Sequence, residues 1–266
     1  MANPASFIWY ELMTTDADAA AKFYGRVIGW NFASRVGNPA PAARDYRSIG
    51  RADGGMAGGV LQLTPEMCAT GARPAWVGYL HVKDVDAATK AIARDGGTVL
   101  MPRLSLPVGE MAMVTDPLGA PFYVMKPVPP AHNPNAVSDV FHPEATQRVR
   151  WNELTTPDIE RAKAFYSRHF GFTIDQSLSM GPMGDYWFID EAGQRLGGMM
   201  QQPPQSPGGG WLYYFGVDNV LAAHRAIVAG GGTVLREPHE VPGGGWITVA
   251  ADPQGAVFGI TGPKGQ

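Results

Sequence analysis

Residues 9–30 read W-Y-E-L-M-T-T-D-A-D-A-A-A-K-F-Y-G-R-V-I-G-W, and residues 151–172 read W-N-E-L-T-T-P-D-I-E-R-A-K-A-F-Y-S-R-H-F-G-F. Aligned without a gap, ten of the 22 positions are identical: Trp9/Trp151, Glu11/Glu153, Leu12/Leu154, Thr14/Thr156, Asp16/Asp158, Ala20/Ala162, Phe23/Phe165, Tyr24/Tyr166, Arg26/Arg168 and Gly29/Gly171. A chain that spells one stretch twice is a duplication, and its later features are read in pairs.

Each copy predicts a strand feeding an amphipathic helix. Phe7, Trp9 and Glu11 alternate with Ile8, Tyr10 and Leu12, so both faces are mostly apolar and Glu11 is the exception. Thr14, Thr15 and Asp16 supply an N-cap. Ala20, Phe23, Tyr24, Val27 and Ile28 then recur at helical spacing, as do Ala162, Phe165, Tyr166, His169 and Phe170. The Phe-Tyr pair therefore reads as core packing against a sheet, and Gly29 and Gly171 as helix stops.

Working outward, short strands are expected near 30–36, 45–50 and 56–63, around the loop G-N-P-A-P-A-A-R. Asp45-Tyr46 is echoed by Asp185-Tyr186, and Gly54-Gly55-Met56 by Gly197-Gly198-Met199. W-V-G-Y-L-H-V at 76–82 is a strand by its alternation, followed by a helix capped by Asp84 and stopped at Gly96-Gly97. Strands near 98–103, 109–115 and 120–125 follow, the last two joined by the D-P-L-G turn at Asp116–Gly119. W-L-Y-Y-F-G-V at 211–217, Gly231-Gly232-Thr233-Val234-Leu235 and Asp252-Pro253-Gln254-Gly255 repeat this series. The chain thus holds four βαβββ modules in two pairs, residues 1–126 and 149–262. Residues 127–148, rich in proline and without periodicity, read as a linker.

Composition bounds the rest. The 266 residues are 45% hydrophobic and 17% charged, with a formal charge of −3, which offers no broad attraction for nucleic acid or acidic membranes. No apolar run approaches the ~20 residues that span a bilayer. The start M-A-N-P-A-S lacks the regions of a signal peptide, and the single Cys68 cannot form an internal disulfide. A cytoplasmic monomer or homodimer, binding a small molecule, is expected. Cys68 has no companion motif that would activate it as a nucleophile, and neither a G-x-S-x-G elbow nor a phosphate loop occurs.

The paired βαβββ plan, with F-Y at the helix centre and a late D-P-x-G turn, resembles the vicinal oxygen chelate superfamily of glyoxalases, bleomycin-resistance proteins and extradiol dioxygenases. The W-x-E-L-x-T-x-D opening is most similar to its two-domain bacterial glyoxalase-like branch. The resemblance implies an α+β fold of two tandem glyoxalase-like domains, their modules curling into half-barrel sheets around cavities. It also implies ligand positions for a divalent metal. The first, fourteen residues before the Phe of F-Y, holds Trp9 and Trp151. A second, opening the fifth strand of each domain, holds approximately Val77 and Leu212. A third, four residues after the Gly of D-P-x-G, holds Tyr123 and Gly259. None of these is the imidazole, carboxylate or thiolate that such metals take, so no cofactor is expected.

What remains is the duplicated W-x-E. Glu11 and Glu153 lie two residues after a Trp and share its strand face. Each can fix a neighbouring strand, bind a cationic or hydroxyl-bearing ligand beside the indole, or act as a general acid or base. The candidate catalytic residues are therefore Glu11 and Glu153. Glu11 with His81 would form a shifted divalent-metal site, present once only, because Gly216 stands where His81 would recur. His132 and His142 fall in the linker. Trp9, Tyr79, Met111, Tyr123, Trp151, Tyr214 and Trp246 complete the candidate ligand-binding set, which suits a planar or hydrophobic molecule. The expected function is metal-free binding or sequestration of a small aromatic or amphipathic molecule. The alternative is a lyase, isomerase or dioxygenase using the shifted site or Glu acid/base chemistry.

Overall fold

A computed structural model describes residues 7–34, 44–131, 133–203 and 209–266. The opening M-A-N-P-A-S, most of the G-N-P-A-P-A-A-R loop, His132 and Gly208 lie outside the described residues. All four modules are present. The first is β1 (Phe7–Thr14), α1 (Ala17–Val27), β2 (Asn31–Phe32), β3 (Tyr46–Gly50) and β4 (Met56–Gln62), followed by a short helix α2 (Pro65–Ala69) that carries Cys68. The second is β5 (Ala75–His81), α3 (Val85–Arg94), β6 (Thr98–Leu106), β7 (Gly109–Thr115) and β8 (Pro121–Pro127). The third is β9 (Val149–Thr156), α4 (Ile159–Phe170), β10 (Ser177–Ser179), β11 (Asp185–Glu191) and β12 (Gln194–Gln201). The fourth is β13 (Gly210–Gly216), α5 (Val220–Ala229), β14 (Thr233–Glu240), β15 (Trp246–Ala251) and β16 (Val257–Gly262). The strands form two eight-stranded sheets of matching order, β2-β3-β4-β1-β5-β8-β7-β6 and β10-β11-β12-β9-β13-β16-β15-β14. This is the α+β architecture expected from the repeat.

The helix signals act as their chemistry dictates. Asp16 and Asp158 each accept the backbone N–H three residues on, at 2.9 and 3.0 Å, satisfying one orphan donor of α1 and α4. Gly171 caps α4 at φ +71°, a left-handed conformation that costs a residue with Cβ about 1–2 kcal/mol. Ala20, Phe23, Tyr24 and Val27 are all buried, as are Ala162, Phe165 and Tyr166. Each large side chain so buried contributes roughly 1.5–3 kcal/mol.

One expected echo shifts. β1 pairs with β4 through Glu11↔Gly59, and β9 with β12 through Glu153↔Gly198. The glycine pair equivalent to Gly197-Gly198 is therefore Gly58-Gly59, not Gly54-Gly55. G-G-x-x-Q aligns the copies here: Gln62 bridges the Thr15 carbonyl and the Ala17 N–H, and Gln201 donates to the Pro157 carbonyl.

By its contacts the chain divides into two compact units. One comprises residues 1–8, 77–138 and 151–212, the other 9–76, 139–150 and 213–266. Each unit therefore takes one module from each half of the sequence. In the second unit, the Tyr24 hydroxyl donates to Asp252 Oδ2 at 3.1 Å and accepts from Trp76 Nε1 at 2.9 Å. In the first unit, Tyr166 donates to Asp116 at 3.1 Å and accepts from Trp211 at 2.9 Å. Each aspartate's other oxygen accepts two turn N–H groups, from Leu118 and Ala120 or from Gln254 and Ala256. The tyrosine of F-Y and the aspartate of the D-P-x-G turn are thus joined in one hydrogen-bond chain that starts at a tryptophan, made twice in reciprocal sense. Burial raises the pKa of both Asp116 and Asp252 against the pull of these hydrogen bonds.

Residues 139–150, at the end of the stretch read as a linker, pack into the second unit. Val140 and Phe141 are buried, and Phe141 bridges to Val149. Gln147 accepts the Ala52 N–H at 2.7 Å and donates to the Gly29 carbonyl at 2.9 Å. Buried Arg51 reaches Asp53 at 3.1 Å and Asp139 at 2.5 Å, and Arg148 reaches the same two carboxylates. The Gly55 N–H first, and Arg51 next, hold Asp53 down at about 2. A carboxylate with a depressed folded pKa adds stability above its unfolded value and loses it as pH falls through the folded one. The stability gap between wild type and Asp53→Asn is therefore expected to be constant from pH 7 to about 5 and to close below about 4. Thermal melts of the two proteins across that range measure it, and a gap independent of pH contradicts the assignment.

Candidate functional site

The duplicated W-x-E converges on a tyrosine that lies far away in sequence. In the first half, Trp9 Nε1 donates to the Tyr46 hydroxyl at 2.7 Å. In the second half, Trp151 Nε1 donates to the Tyr186 hydroxyl at 2.7 Å, and that hydroxyl donates to Glu153 Oε2 at 2.9 Å. Tyr46 is 41% exposed over the whole residue. Its pKa is nevertheless pushed above the usual phenol range, by desolvation first and the Glu11 charge second, against the Trp9 hydrogen bond. Glu11 is 2% exposed, whereas Glu153 and Trp151 are half-buried.

The tyrosines fit because of the glycines that face the carboxylates. A Cβ on Gly59 would fall on the Tyr46 hydroxyl, and one on Gly198 on the Tyr186 ring. Gly59 and Gly198 are the direct strand partners of Glu11 and Glu153, so W-x-E, D-Y and G-G are three parts of one wall. Tyr46 and Tyr186 were absent from the residues proposed from sequence. The echoing Asp-Tyr pairs were their only signal there. In the second half the wall extends further: Tyr186 stacks on Trp151 at 6.4 Å and 22°, and Phe188 meets Trp151 edge-on at 6.4 Å.

The other candidates fall as follows. Tyr79 and Tyr123, paired across β5 and β8, are buried and stacked at 4.3 Å and 22°. Met111 on β7 is also buried. In the second unit, Tyr214 is buried with its ring over Gly259, where any side chain at 259 would meet it. Trp246 is half-buried beneath the Lys264 ammonium, 4.4 Å from the ring centre. Trp76, Trp211 and Tyr213 belong to the packing: the first two serve the Tyr24 and Tyr166 chains, and Tyr213 meets Tyr10 edge-on at 5.0 Å.

His81 belongs to the first unit and Glu11 to the second. Burial lowers the His81 pKa, opposed by Glu191 and assisted by Lys83. Among the described residues, no group of three or more His, Cys, Asp or Glu is arranged to hold a metal ion. The side chains at the metal-ligand positions implied by the resemblance have other uses. The indole N–H groups of Trp9 and Trp151 bind tyrosines, Tyr123 is stacked, and Gly259 lies under a ring. The resemblance implies one more ligand position on the fourth strand of each domain, β4 or β12, and neither strand contains a His, Asp, Glu or Cys. This donor set does not fit a divalent cation.

Four βαβββ modules in two matching sheets, with the Trp-Tyr-Glu wall built twice, define a tandem glyoxalase-like protein. The chain belongs to the Glyoxalase/Bleomycin resistance protein/Dioxygenase superfamily, which matches residues 6–123 and 148–260. It is 31% identical over 259 residues to "Putative glyoxylase CFP32" of Mycobacterium tuberculosis, covering 97% of this chain and 95% of that protein. It is 30% identical over 272 residues to "Anthracycline biosynthesis protein DnrV" of Streptomyces peucetius, covering 97% and 93%. A Mn(II)-bound glyoxalase from Novosphingobium aromaticivorans shares the fold with a TM-score of 0.62 at 18% identity, over 98% of this chain and 83% of that one. No helix among the described residues is long and apolar enough to cross a membrane.

Proposed function

We propose that this protein binds a small aromatic or amphipathic molecule without a metal ion, on the walls that Trp9, Tyr46 and Glu11 and Trp151, Tyr186 and Glu153 form. The observation that carries this reading is the Trp-Tyr hydrogen bond at 2.7 Å in both halves, which commits the first ligand position of metal-binding relatives to an aromatic pair. Indole and phenol rings beside a carboxylate suit a flat ligand with hydroxyl or amine substituents. The relative named for anthracycline biosynthesis supports the same ligand class, since anthracyclines are planar polycyclic aromatics.

Elemental analysis of protein purified without added metal, paired with calorimetric titration of 1,4-dihydroxyanthraquinone, tests the reading. The expected result is saturable binding with divalent metal well below one equivalent per chain. Stoichiometric metal that is lost on Glu11→Gln or Glu153→Gln overturns it.

A second reading rests on the 2.9 Å bond between Tyr186 and Glu153: the pair is close enough to relay a proton and serve acid/base chemistry. It requires turnover, of hemithioacetals or catechols for example, that disappears in Glu153→Gln while the fold is kept. The names of glyoxylase and glyoxalase relatives favour trying those substrates first.

A further inference from the structure

We infer that the second-half wall takes a planar aromatic ligand carrying a protonated amine, and that its first-half duplicate does not bind this ligand. The inference rests on the metal-free aromatic-binding reading and assigns it a ligand charge and one of the two copies.

The walls share Trp, Tyr, Glu and Gly but differ where strand register makes the comparison direct. Ser48 pairs with Gly59 as Phe188 pairs with Gly198, so the second half has a ring where the first has a hydroxymethyl group. Leu61 opposes Tyr46 as Met200 opposes Tyr186. Leu61 is buried, whereas Met200 and Phe188 are half-buried. Trp151, Tyr186 and Phe188 thus form one run of rings, all partly reachable from solvent, ending in a flexible thioether that adapts to flat ligands.

Charge separates the copies as well. Arg195 places its guanidinium carbon over the Phe188 ring, 3.9 Å from the ring centre. Its guanidinium is committed to Asp190, at 3.0 and 3.1 Å, and to Gln176 at 2.9 Å. Its positive charge is therefore balanced locally by Asp190. Glu153 then sets the sign of the wall. A cation is drawn both to its carboxylate and to the π faces of Trp151 and Tyr186. In the first half the Trp9 and Tyr46 rings are reachable, but Glu11 is 2% exposed and no ring stands at Ser48, so an incoming amine lacks both an accessible wall carboxylate and the third ring.

Calorimetric titration of the full chain with proflavine, a planar tricyclic cation, and with anthraquinone-2-sulfonate, a planar tricyclic anion, tests this. The expected result is one equivalent of proflavine per chain, with the sulfonate at least about tenfold weaker. Glu153→Gln and Phe188→Ser, the second making the second wall resemble the first, each weaken proflavine by about tenfold or more. Circular dichroism spectra unchanged from wild type verify that both variants fold, and either variant alone suffices. Two equal sites, equal affinity for the sulfonate, or full affinity in both variants overturns the inference. If 1,4-dihydroxyanthraquinone binds while one of those results is found, only the inference falls. If none of the three probes binds, the metal-free binding reading falls with it.

Discussion

Removing the two buried tyrosine hydroxyls together, in Tyr24→Phe with Tyr166→Phe, is expected to destabilise the protein by about 2–6 kcal/mol. Each hydroxyl is the middle member of a three-residue chain, accepting from a tryptophan and donating to an aspartate. Its loss leaves an indole N–H and a carboxylate oxygen unsatisfied in surroundings where both aspartates and both tyrosines are buried. Losing one such buried hydroxyl costs about 1–3 kcal/mol in all. The two sites belong to different units and share no partner, so their effects should add. Chemical denaturation of the single and double variants measures this. A double variant within 0.5 kcal/mol of wild type, roughly the scatter of neutral surface changes, would mean that the chains contribute packing alone.

A methyl group at one glycine should have the next largest effect. Gly198→Ala puts a Cβ into the Tyr186 ring, and the ring, the yielding partner, has to leave. Its departure removes the hydrogen bonds to Trp151 and Glu153 together and unstacks the indole. Affinity for 1,4-dihydroxyanthraquinone or proflavine is expected to fall by more than about tenfold, because one aromatic contact alone is worth about 0.5–1.5 kcal/mol. The effect on melting temperature should be small, since Tyr186 is only half-buried. Calorimetry and a thermal melt on the same sample separate the two quantities. Unchanged affinity in a folded variant would remove Tyr186 from the wall.

The fold was legible because its signals are local. The helix stripe, the Asp16 and Asp158 caps and the Gly29 and Gly171 stops each act within one or two turns, and duplication supplied a second copy of every one. The site was legible only in part. Trp9 and Glu11 stand two residues apart on a strand and announce a shared face, but the tyrosine they hold arrives through strand pairing. Trp9 and Tyr46 are 37 residues apart and Trp151 and Tyr186 35, so the echoing Asp-Tyr pairs gave no local sign that each tyrosine returns to the W-x-E face. The glycine pairs were misaligned because Gly54-Gly55-Met56 repeats the letters of Gly197-Gly198-Met199, whereas strand pairing sets Gly59 opposite Glu11. Asp116 and Asp252 were equally opaque: a D-P-x-G aspartate explains itself as a turn former, and its second oxygen gives no local hint of a partner in the opposite half.

That reciprocal pairing has a consequence for how the protein is made. Asp252 lies 228 residues after Tyr24. A chain emerging from the ribosome therefore displays a finished α1, with its Phe-Tyr stripe, long before the turn that receives it exists. The unit containing α1 cannot close until Asp252 has been synthesised, and contacts of such sequence separation make for slow folding. The unit built from the central stretches can close earlier, since Tyr166 follows Asp116 by only 50 residues. Synthesis thus orders the assembly from the middle of the chain outward, with the N-terminal module waiting longest for its mate.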